Sequence, residues 1–565
     1  MHALFAVFCF QCEQTEKGTG CTAIGVCGKD PATAALQDCL VFALKGLSEY
    51  AHAAREAGAP ENEAANTHTL RAMFSTLTNV NFDPARMCEY IGETIALRDE
   101  RRTALQTATG SPDIEGASPA ASWTARDYAD EEELAAAGRM VGVLAQREEF
   151  GEDIGGLREL VVYGIKGTAA YAAHAMELGK EDPEIYSFVH SALAQLAQGE
   201  NTVDGLLGLT LATGGANLKA LTALDSAHTE RFGDPEPTVV NHAPVEGKCI
   251  LVSGHDMADL EAILEQTAGK GINVYTHGEL LPAHSYPVMK EKYPHLVGNY
   301  GAAWQLQKFE FGKFPGPIVV TTNCLVEPRK SYEDHIYTTG VTGFPGVKHV
   351  TGRDYSAVVE QALEMPGFAS TKPPKEILAG FGHKAVLGVA GDVLGAVSEG
   401  NLKQLVLIGG CDGSEGERSY YTKLAAALPD ESMILTLGCG KYRIIGRKDY
   451  GTVPNTGLPR VIDMGQCNDS YSAVVVALEL AKALDTDVNS LPLSIALSWF
   501  EQKAVAVLLT LLHLGVKDIH IGPNLPAFIT APVLGQLVDA FGLVPIGDPK
   551  QAAADAEKFM KHNMA

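Results

Sequence analysis

Leu405-Val406-Leu407-Ile408-Gly409-Gly410-Cys411 is the stretch that decides how this chain folds. A short apolar run with β-branched members closes on glycine and then on a thiol. Its length and its glycine boundary read as a buried strand. The pattern recurs. Ile250 to Gly254 leads to His255, and Ile272 to Thr276 leads through His277-Gly278 to Glu279. Ile318 to Asn323 leads to Cys324, Ile434 to Gly438 to Cys439, and Val461 to Gln466 to Cys467. Strands are expected at Cys249–Ser253, Ile272–Thr276, Pro317–Thr322, Leu405–Ile408, Met433–Leu437, Arg460–Met464 and Asp518–Ile521. Helical stretches separate them, which predicts βαβ units and mainly parallel sheets.

In open α/β sheets, ligands gather beyond the carboxyl ends of the strands. Six donors at that register would point into one crevice. Glu501, in Trp499-Phe500-Glu501-Gln502-Lys503 ahead of an apolar helix, is a seventh candidate. Taken singly, each has a plainer reading: a cysteine is often just buried, and a lone His or Glu is often solvated. The shared register of four cysteines separates them from Cys39, Cys88 and Cys249, which read as small packed hydrophobes. A donor set mixing sulfur with imidazole and carboxylate suits mixed iron chemistry, with an iron that can open to substrate.

Upstream, the first ~230 residues read as helical. Asp30-Pro31 is a cap with proline at the first helical position. It opens a run from Ala32 to Glu56. Further helices are expected at about Thr67–Asn79, Pro84–Ala108, Glu131–Gln146, Leu157–Leu178, Pro183–Gln198 and Asn217–Arg231, and a loop from Thr109 to Pro119 divides them into bundles. Composition shifts near Gly233-Asp234-Pro235, and Pro373-Pro374 reads as a linker. The expected protein is multidomain α and α/β: N-terminal helical bundles over 1–235, then α/β domains over 236–380 and 381–565.

Cys9, Cys12, Cys21 and Cys27 stand at the spacing C-x2-C-x8-C-x5-C, with glycines between them for tight turns. Thiolate-only sites hold zinc or an iron–sulfur cluster. The spacing matches neither a zinc ribbon nor a plain ferredoxin run.

The chain has 565 residues, 46% hydrophobic and 20% charged, which is globular composition and sets aside a disordered or fibrous protein. With 44 basic against 69 acidic residues the net charge is −25, which disfavours nucleic acid and anionic membrane surfaces. The longest apolar run, near Ala504 to Val516, is too short for a membrane span. Met1 to Cys9 lacks a basic segment and a cleavage site, so a cytoplasmic, reducing compartment is expected, in which cysteines act as thiolates.

Taken together, the quartet, His255-Asp256-Met257, Thr276-His277-Gly278-Glu279, Asn323-Cys324, Gly410-Cys411-Asp412-Gly413, Leu437-Gly438-Cys439-Gly440-Lys441, Gly465-Gln466-Cys467-Asn468-Asp469 and Trp499-Phe500-Glu501-Gln502-Lys503 resemble the hybrid cluster proteins, also called prismane proteins or hydroxylamine reductases. The resemblance covers essentially the whole length. It implies one helical domain and two α/β domains of similar topology. It implies a 4Fe-4S cubane at Cys9, Cys12, Cys21 and Cys27, the spacing being that of the cubane branch rather than the 2Fe-2S branch. It further implies a hybrid 4Fe-2O-2S iron–sulfur–oxygen cluster held by His255, Glu279, Cys324, Cys411, Cys439, Cys467 and Glu501, with a persulfide at Cys411.

The activity so implied is reduction of small nitrogen oxides: hydroxylamine to ammonia and water, and nitric oxide to nitrous oxide. Electrons would enter at the quartet. Glu501 is the candidate proton relay and Lys503 its partner, although on a regular helix i and i+2 do not share a face. His277 and His284 are alternative relays. No nucleotide-binding glycine motif follows a predicted strand, so a separate redox protein is the expected electron donor, acidic or basic. The rival readings are a carbon monoxide dehydrogenase-like enzyme, against which Glu279 and Glu501 argue, a non-catalytic electron carrier or nitric-oxide sensor, and an α/β protein with zinc at its N-terminus.

Overall fold

The computed structural model of the chain describes residues 7–15 and 18–561. The Met1–Ala6 part of the N-terminal reading lies outside them. Helices fill the first part of the chain. Pro31–Glu56 is capped by the Asp30 carboxylate, which accepts from Thr33 N at 2.9 Å. This helix packs on Pro84–Thr109 before the Thr109–Pro119 loop, and on Glu131–Val141 and Pro183–Gln198 after it. The bundles on either side of the loop therefore share one helix.

Three helix boundaries differ from expectation by five residues or more. Gly142 separates the Glu131–Val141 helix from the next, which runs Val143–Glu177 with a kink at Gly151. The helix expected from Asn217 starts at Val203, capped by Thr202. Its glycines lower helix propensity, and packing offsets that. A Cβ on Gly214 would stand 2.0 Å from the Leu509 carbonyl oxygen, so glycine admits the Gln502–His513 helix to close contact. The lost helix propensity is about 1 kcal/mol. Burying Leu508, Leu509 and Leu512 on that helix contributes roughly 1.5–3 kcal/mol each and outweighs it.

Two six-stranded sheets follow, and every pairing within them is parallel. An antiparallel pair, β1 (Thr238–Asn241) and β8 (Glu376–Ala379), brackets the first sheet in sequence. The first sheet contains β2 (Lys248–Ser253), β3 (Ile272–His277), β4 (Leu296–Asn299), β5 (Ile318–Val320), β6 (Ile336–Thr339) and β7 (Lys348–Val350), in the order β4-β3-β2-β5-β6-β7. The second contains β9 (Gln404–Gly410), β10 (Ser432–Thr436), β11 (Val461–Asp463), β12 (Leu493–Ser498), β13 (His520–Gly522) and β14 (Val544–Pro545), in the order β11-β10-β9-β12-β13-β14. Counted within each sheet, both orders are 3-2-1-4-5-6, the doubly wound arrangement. The chain reverses direction across the sheet between β2 and β5 in one, and between β9 and β12 in the other.

All seven expected strands are present, with ends shifted by a few residues. The sequence reading lacks β1, β4, β6, β7, β8, β12 and β14. Most are only two to four residues long and fall below any periodicity signal. β12 is longer, but Pro492, Ser494 and Ser498 interrupt its apolar character. It is nevertheless central, pairing with β9 over six residues. Among the described residues no helix is long and apolar enough to cross a membrane.

Candidate functional site

The N-terminal cysteines are brought together locally. Cys21 N donates to the Cys9 carbonyl, and Phe8 N to that of Cys21, each at 2.9 Å. Burial pushes the Cys9 thiol up to about 12, opposed by Lys29 and reinforced by Cys27 and Cys21. Burial pushes Cys12 well above its ordinary value, with Cys27, Cys9 and Cys21 reinforcing. All four are free thiols.

The second group is assembled by topology. His255, Glu279, Cys324, Cys411, Cys439, Cys467 and Glu501 all line one cavity beyond the carboxyl ends of β2, β3, β5, β9, β10, β11 and β12. Donor atoms of His255, Glu279 and Cys467 lie within 4.8 Å of one another. His255 Nε2 is 3.6 Å from Glu279 Oε2. The site thus spans the direction switches of both sheets, where this topology opens a crevice.

Glycine sets two of the approaches. Gly254 has φ +129°, and a Cβ there would stand 2.3 Å from Thr321 Oγ1. Gly410 has φ +103°, and a Cβ would stand 2.0 Å from the Ser498 carbonyl oxygen. That carbonyl accepts from Cys411 N at 2.8 Å, which fixes the thiol beside the end of β12.

Hydrogen bonds orient the donors. Thr322 Oγ1 accepts from His255 N at 2.8 Å and lies 3.1 Å from His255 Nδ1, leaving Nε2 for the cavity. Cys467 N donates to Glu279 Oε2 at 2.8 Å, while the buried Glu279 Oε1 has no partner. Gln466 Nε2 donates to the carbonyls of His255 at 3.1 Å and Glu279 at 2.8 Å. A residue of the second sheet thereby ties down two donors of the first. Trp304 walls the site on another side, with Phe500 stacked on it at a centroid distance of 4.6 Å.

Glu501 is not inside a helix. It is the extended N-cap of Gln502–His513 and its carboxylate accepts from Lys503 N at 2.9 Å. The helical face rule therefore does not separate it from Lys503. The Lys503 ammonium is buried without a hydrogen-bond partner. Burial alone would lower its pKa, but the thiol of Cys467, the Glu501 carboxylate, Cys324 and Glu279 together hold it above its ordinary value. Burial raises Glu279, with Lys441 opposing, and raises Glu501, with Lys503 opposing. Burial pushes Cys467 up to about 12. His277 has both ring nitrogens engaged, by Ser253 at 2.9 Å and Glu310 at 3.0 Å, and His284 is held by Thr276. Cys39, Cys88 and Cys249 are packed in apolar cores away from this cavity.

The site has a composition that resists emptiness. Four thiolates and two carboxylates would surround one unpaired ammonium in a buried cleft, an arrangement that needs further positive charge. Sulfur, imidazole and carboxylate donors suit an iron assembly.

The two groups are joined. Cys12, Cys439, Trp304 and Phe500 share one apolar cluster, against which Cys324 and Cys411 pack. Arg418 is fully buried. It pairs with Glu13, donates to Glu415 at 2.7 Å and donates to the Trp499 carbonyl at 3.1 Å. It therefore pins the N-terminal cysteine loop to the segments carrying Cys411 and Glu501. The residues that sequence reasoning missed here are Gln466, Trp304, Thr322 and Arg418. Gln466 directly precedes a predicted ligand, which was the one available signal.

Residues 7–554 match the family model described as Prismane/CO dehydrogenase family. The chain is 50% identical over 545 residues to a hydroxylamine reductase of Rhodospirillum rubrum, covering 96% of this chain and 98% of the relative. It is 49% identical over 545 residues to a hydroxylamine reductase of Methanocella arvoryzae, covering 96% and 99%. Among solved structures, carbon monoxide dehydrogenase IV from Carboxydothermus hydrogenoformans aligns with a TM-score of 0.56 at 16% identity, over 99% of this chain and 93% of that one, a likeness of fold. Family membership carries with it iron–sulfur clusters, and a seven-donor cleft at paired sheet ends, a separate cysteine quartet and relatives of this coverage lead to one statement: the chain belongs to the prismane/CO dehydrogenase family.

Proposed function

We propose that this chain is an oxidoreductase that reduces hydroxylamine to ammonia and water, and nitric oxide to nitrous oxide. The observation that carries the reading is the convergence of seven mixed donors on one buried cavity between the two sheets. Cys9, Cys12, Cys21 and Cys27 would hold a 4Fe-4S cubane. His255, Glu279, Cys324, Cys411, Cys439, Cys467 and Glu501 would hold a hybrid iron–sulfur–oxygen cluster, with Cys411 as its persulfide. When bound, that cluster supplies an open Lewis-acidic iron and the reducing electrons. The helical part and the two sheets correspond to domains over 1–235, 236–380 and 381–565. The donor is a separate redox protein in a reducing cytoplasm.

The protein's own residues have distinct tasks. Reducing hydroxylamine consumes two electrons and two protons. Glu501, its pKa raised by burial and its charge balanced by the Lys503 ammonium, is placed to hold a proton at its carboxylate and release it in the cavity. Trp304 and Phe500 exclude water from one wall. An apolar cavity of about 90 Å³, lined by Leu405, Leu437, Leu508 and Leu511, reaches Cys411 and Cys467 and suits a neutral diatomic such as nitric oxide. The carboxylate pair Glu279 and Glu501 disfavours a carbon monoxide dehydrogenase reading.

Iron and sulfide analysis of anaerobically purified protein, electron paramagnetic resonance across a redox titration, and hydroxylamine turnover with an artificial reductant test this reading. Two distinct cluster signals and turnover are expected. A cluster-replete protein without turnover of either substrate would favour the sensor reading, and nickel in place of an all-iron site would favour the dehydrogenase reading.

A further inference from the structure

Between the helices Pro31–Glu56 and Val143–Glu177 lie four charged side chains whose one directed contact among the described residues is Lys166 Nζ over the Tyr163 ring, 5.4 Å from its centroid. Asp38 and Lys45 come from the first helix, Glu159 and Lys166 from the second. Among the described residues, no hydrogen bond or ion pair closes on any of them; their interactions with one another act through space alone. Yet three are enclosed, with Lys45 7% exposed, Glu159 8% and Lys166 2%, and Asp38 is half-buried. All four line a cavity of about 20 Å³, room for roughly one water, whose wall also includes Val41, Phe42, Val143 and Val162. Asp38 and Tyr163 also line the neighbouring cavity, about 320 Å³, whose wall includes Cys9 and Gln11. The cage therefore shares Asp38 and Tyr163 as walls with a cavity that Cys9 lines.

Unpaired buried charges are costly unless water or a mobile proton relieves them. These groups are set to exchange one. Burial pushes Asp38 up to about 7, with Lys166 opposing and Glu159 reinforcing. Burial pulls Lys45 and Lys166 down to about 8. Lys29, from the loop after Cys27, also faces Asp38. Arg158 and Arg147 face Glu159 from its own helix, and Arg139 lines the larger cavity from the Glu131–Val141 helix. The thiol of Cys39 adjoins Asp38, with Cys88 of the Pro84–Thr109 helix behind it. An electron added nearby in a medium of low dielectric raises the proton affinity of such groups.

We propose that Asp38, Lys45, Glu159 and Lys166 form a hydrated proton-binding site that takes up one proton from solvent as the adjacent N-terminal iron–sulfur group accepts one electron from a one-electron donor. One negative charge enters, one positive charge follows, and the interior keeps its net charge. The inference rests on the cubane reading given above and deepens it: electron entry becomes coupled to the proton supply that the reduction consumes.

The test is the midpoint potential of the N-terminal cluster in the cluster-loaded protein, followed by electron paramagnetic resonance at several pH values. Between about pH 7 and 8 the wild-type potential is expected to fall by about 59 mV per tenfold drop in proton concentration, the one-electron constant. Asp38→Asn combined with Lys166→Met should reduce that slope at least twofold while both cluster signals persist. If the double variant loses its iron, Lys45→Gln is judged by the same criterion. A wild-type potential independent of pH overturns the inference and leaves the cubane reading standing, and so does an unchanged slope in the variant. Absence of any N-terminal cluster signal overturns both.

Discussion

The two cysteine groups are held by different physics. The first lies within residues 9 to 27, and short backbone contacts such as Cys21 N to the Cys9 carbonyl shape it. The second gathers donors between residues 255 and 501: His255 and Glu279 meet at the end of one sheet, and the full set meets only when two sheets face each other. A local group tolerates distant change; a topological group registers every error in the sheets beneath it. Yet the two are not separate modules. Arg418 and Glu13 clamp them together, and Gln502 Nε2 donates to the Gln11 carbonyl at 3.3 Å.

The largest effects come from removing one donor in each group. Cys467→Ser should abolish hydroxylamine turnover and the second cluster's resonance while leaving the first intact. Cys12→Ser should do the reverse to the spectra and stop electron entry. Loss of both signals in either variant would show that the groups do not assemble independently. Glu501→Gln keeps the shape of the site and removes its proton. Turnover should fall by about 10²–10⁴-fold, the usual range for a general acid, with the N-terminal signal unchanged. Wild-type turnover would remove Glu501 from proton delivery.

Arg418→Gln tests the clamp. It strands the Glu13 carboxylate in the interior, and breaking such a pair costs about 3–5 kcal/mol. Denaturant unfolding of the cluster-loaded protein should register that loss, with both resonances broadened. A change confined to one resonance would mean the groups are mechanically independent. The smallest effect is expected from Gln466→Ala. It frees the His255 and Glu279 carbonyls from their bridge to the second sheet, and loss of such a support typically lowers metal affinity by about 10–100-fold. Iron release to a chelator would measure it, and the N-terminal group should not respond.

Much of this was visible in the chain. The strand–glycine–donor register located six of the seven cavity residues, because a parallel strand delivers whatever follows it to one edge of the sheet. Glu501 stood out as a carboxylate ahead of an apolar helix, but its strand did not: β12 carries two serines and follows a proline, and it is a strand because β9 pairs with it. The same gap made Lys503 look misplaced. Once Glu501 is an extended cap rather than a helical residue, the angular argument against the pair lapses. Trp304 and Arg418 were silent because their partners lie far away in sequence, and Gln466 and Phe500 were visible only as neighbours of predicted donors. The start of Val203–Phe232 was not legible for a related reason: glycine lowers local propensity, and only the close approach of Gln502–His513 makes Gly214 necessary.

By itself the sequence determined the alternation of strands and helices, the local cysteine quartet and the kinds of donor available, since each depends on neighbours a few residues apart. Only the tertiary structure decided that both sheets wind in the same order, that their switch points face one cleft, and that buried charges collect beside the quartet. Those outcomes depend on which distant surfaces exclude water together, and no short stretch of chain contains that information.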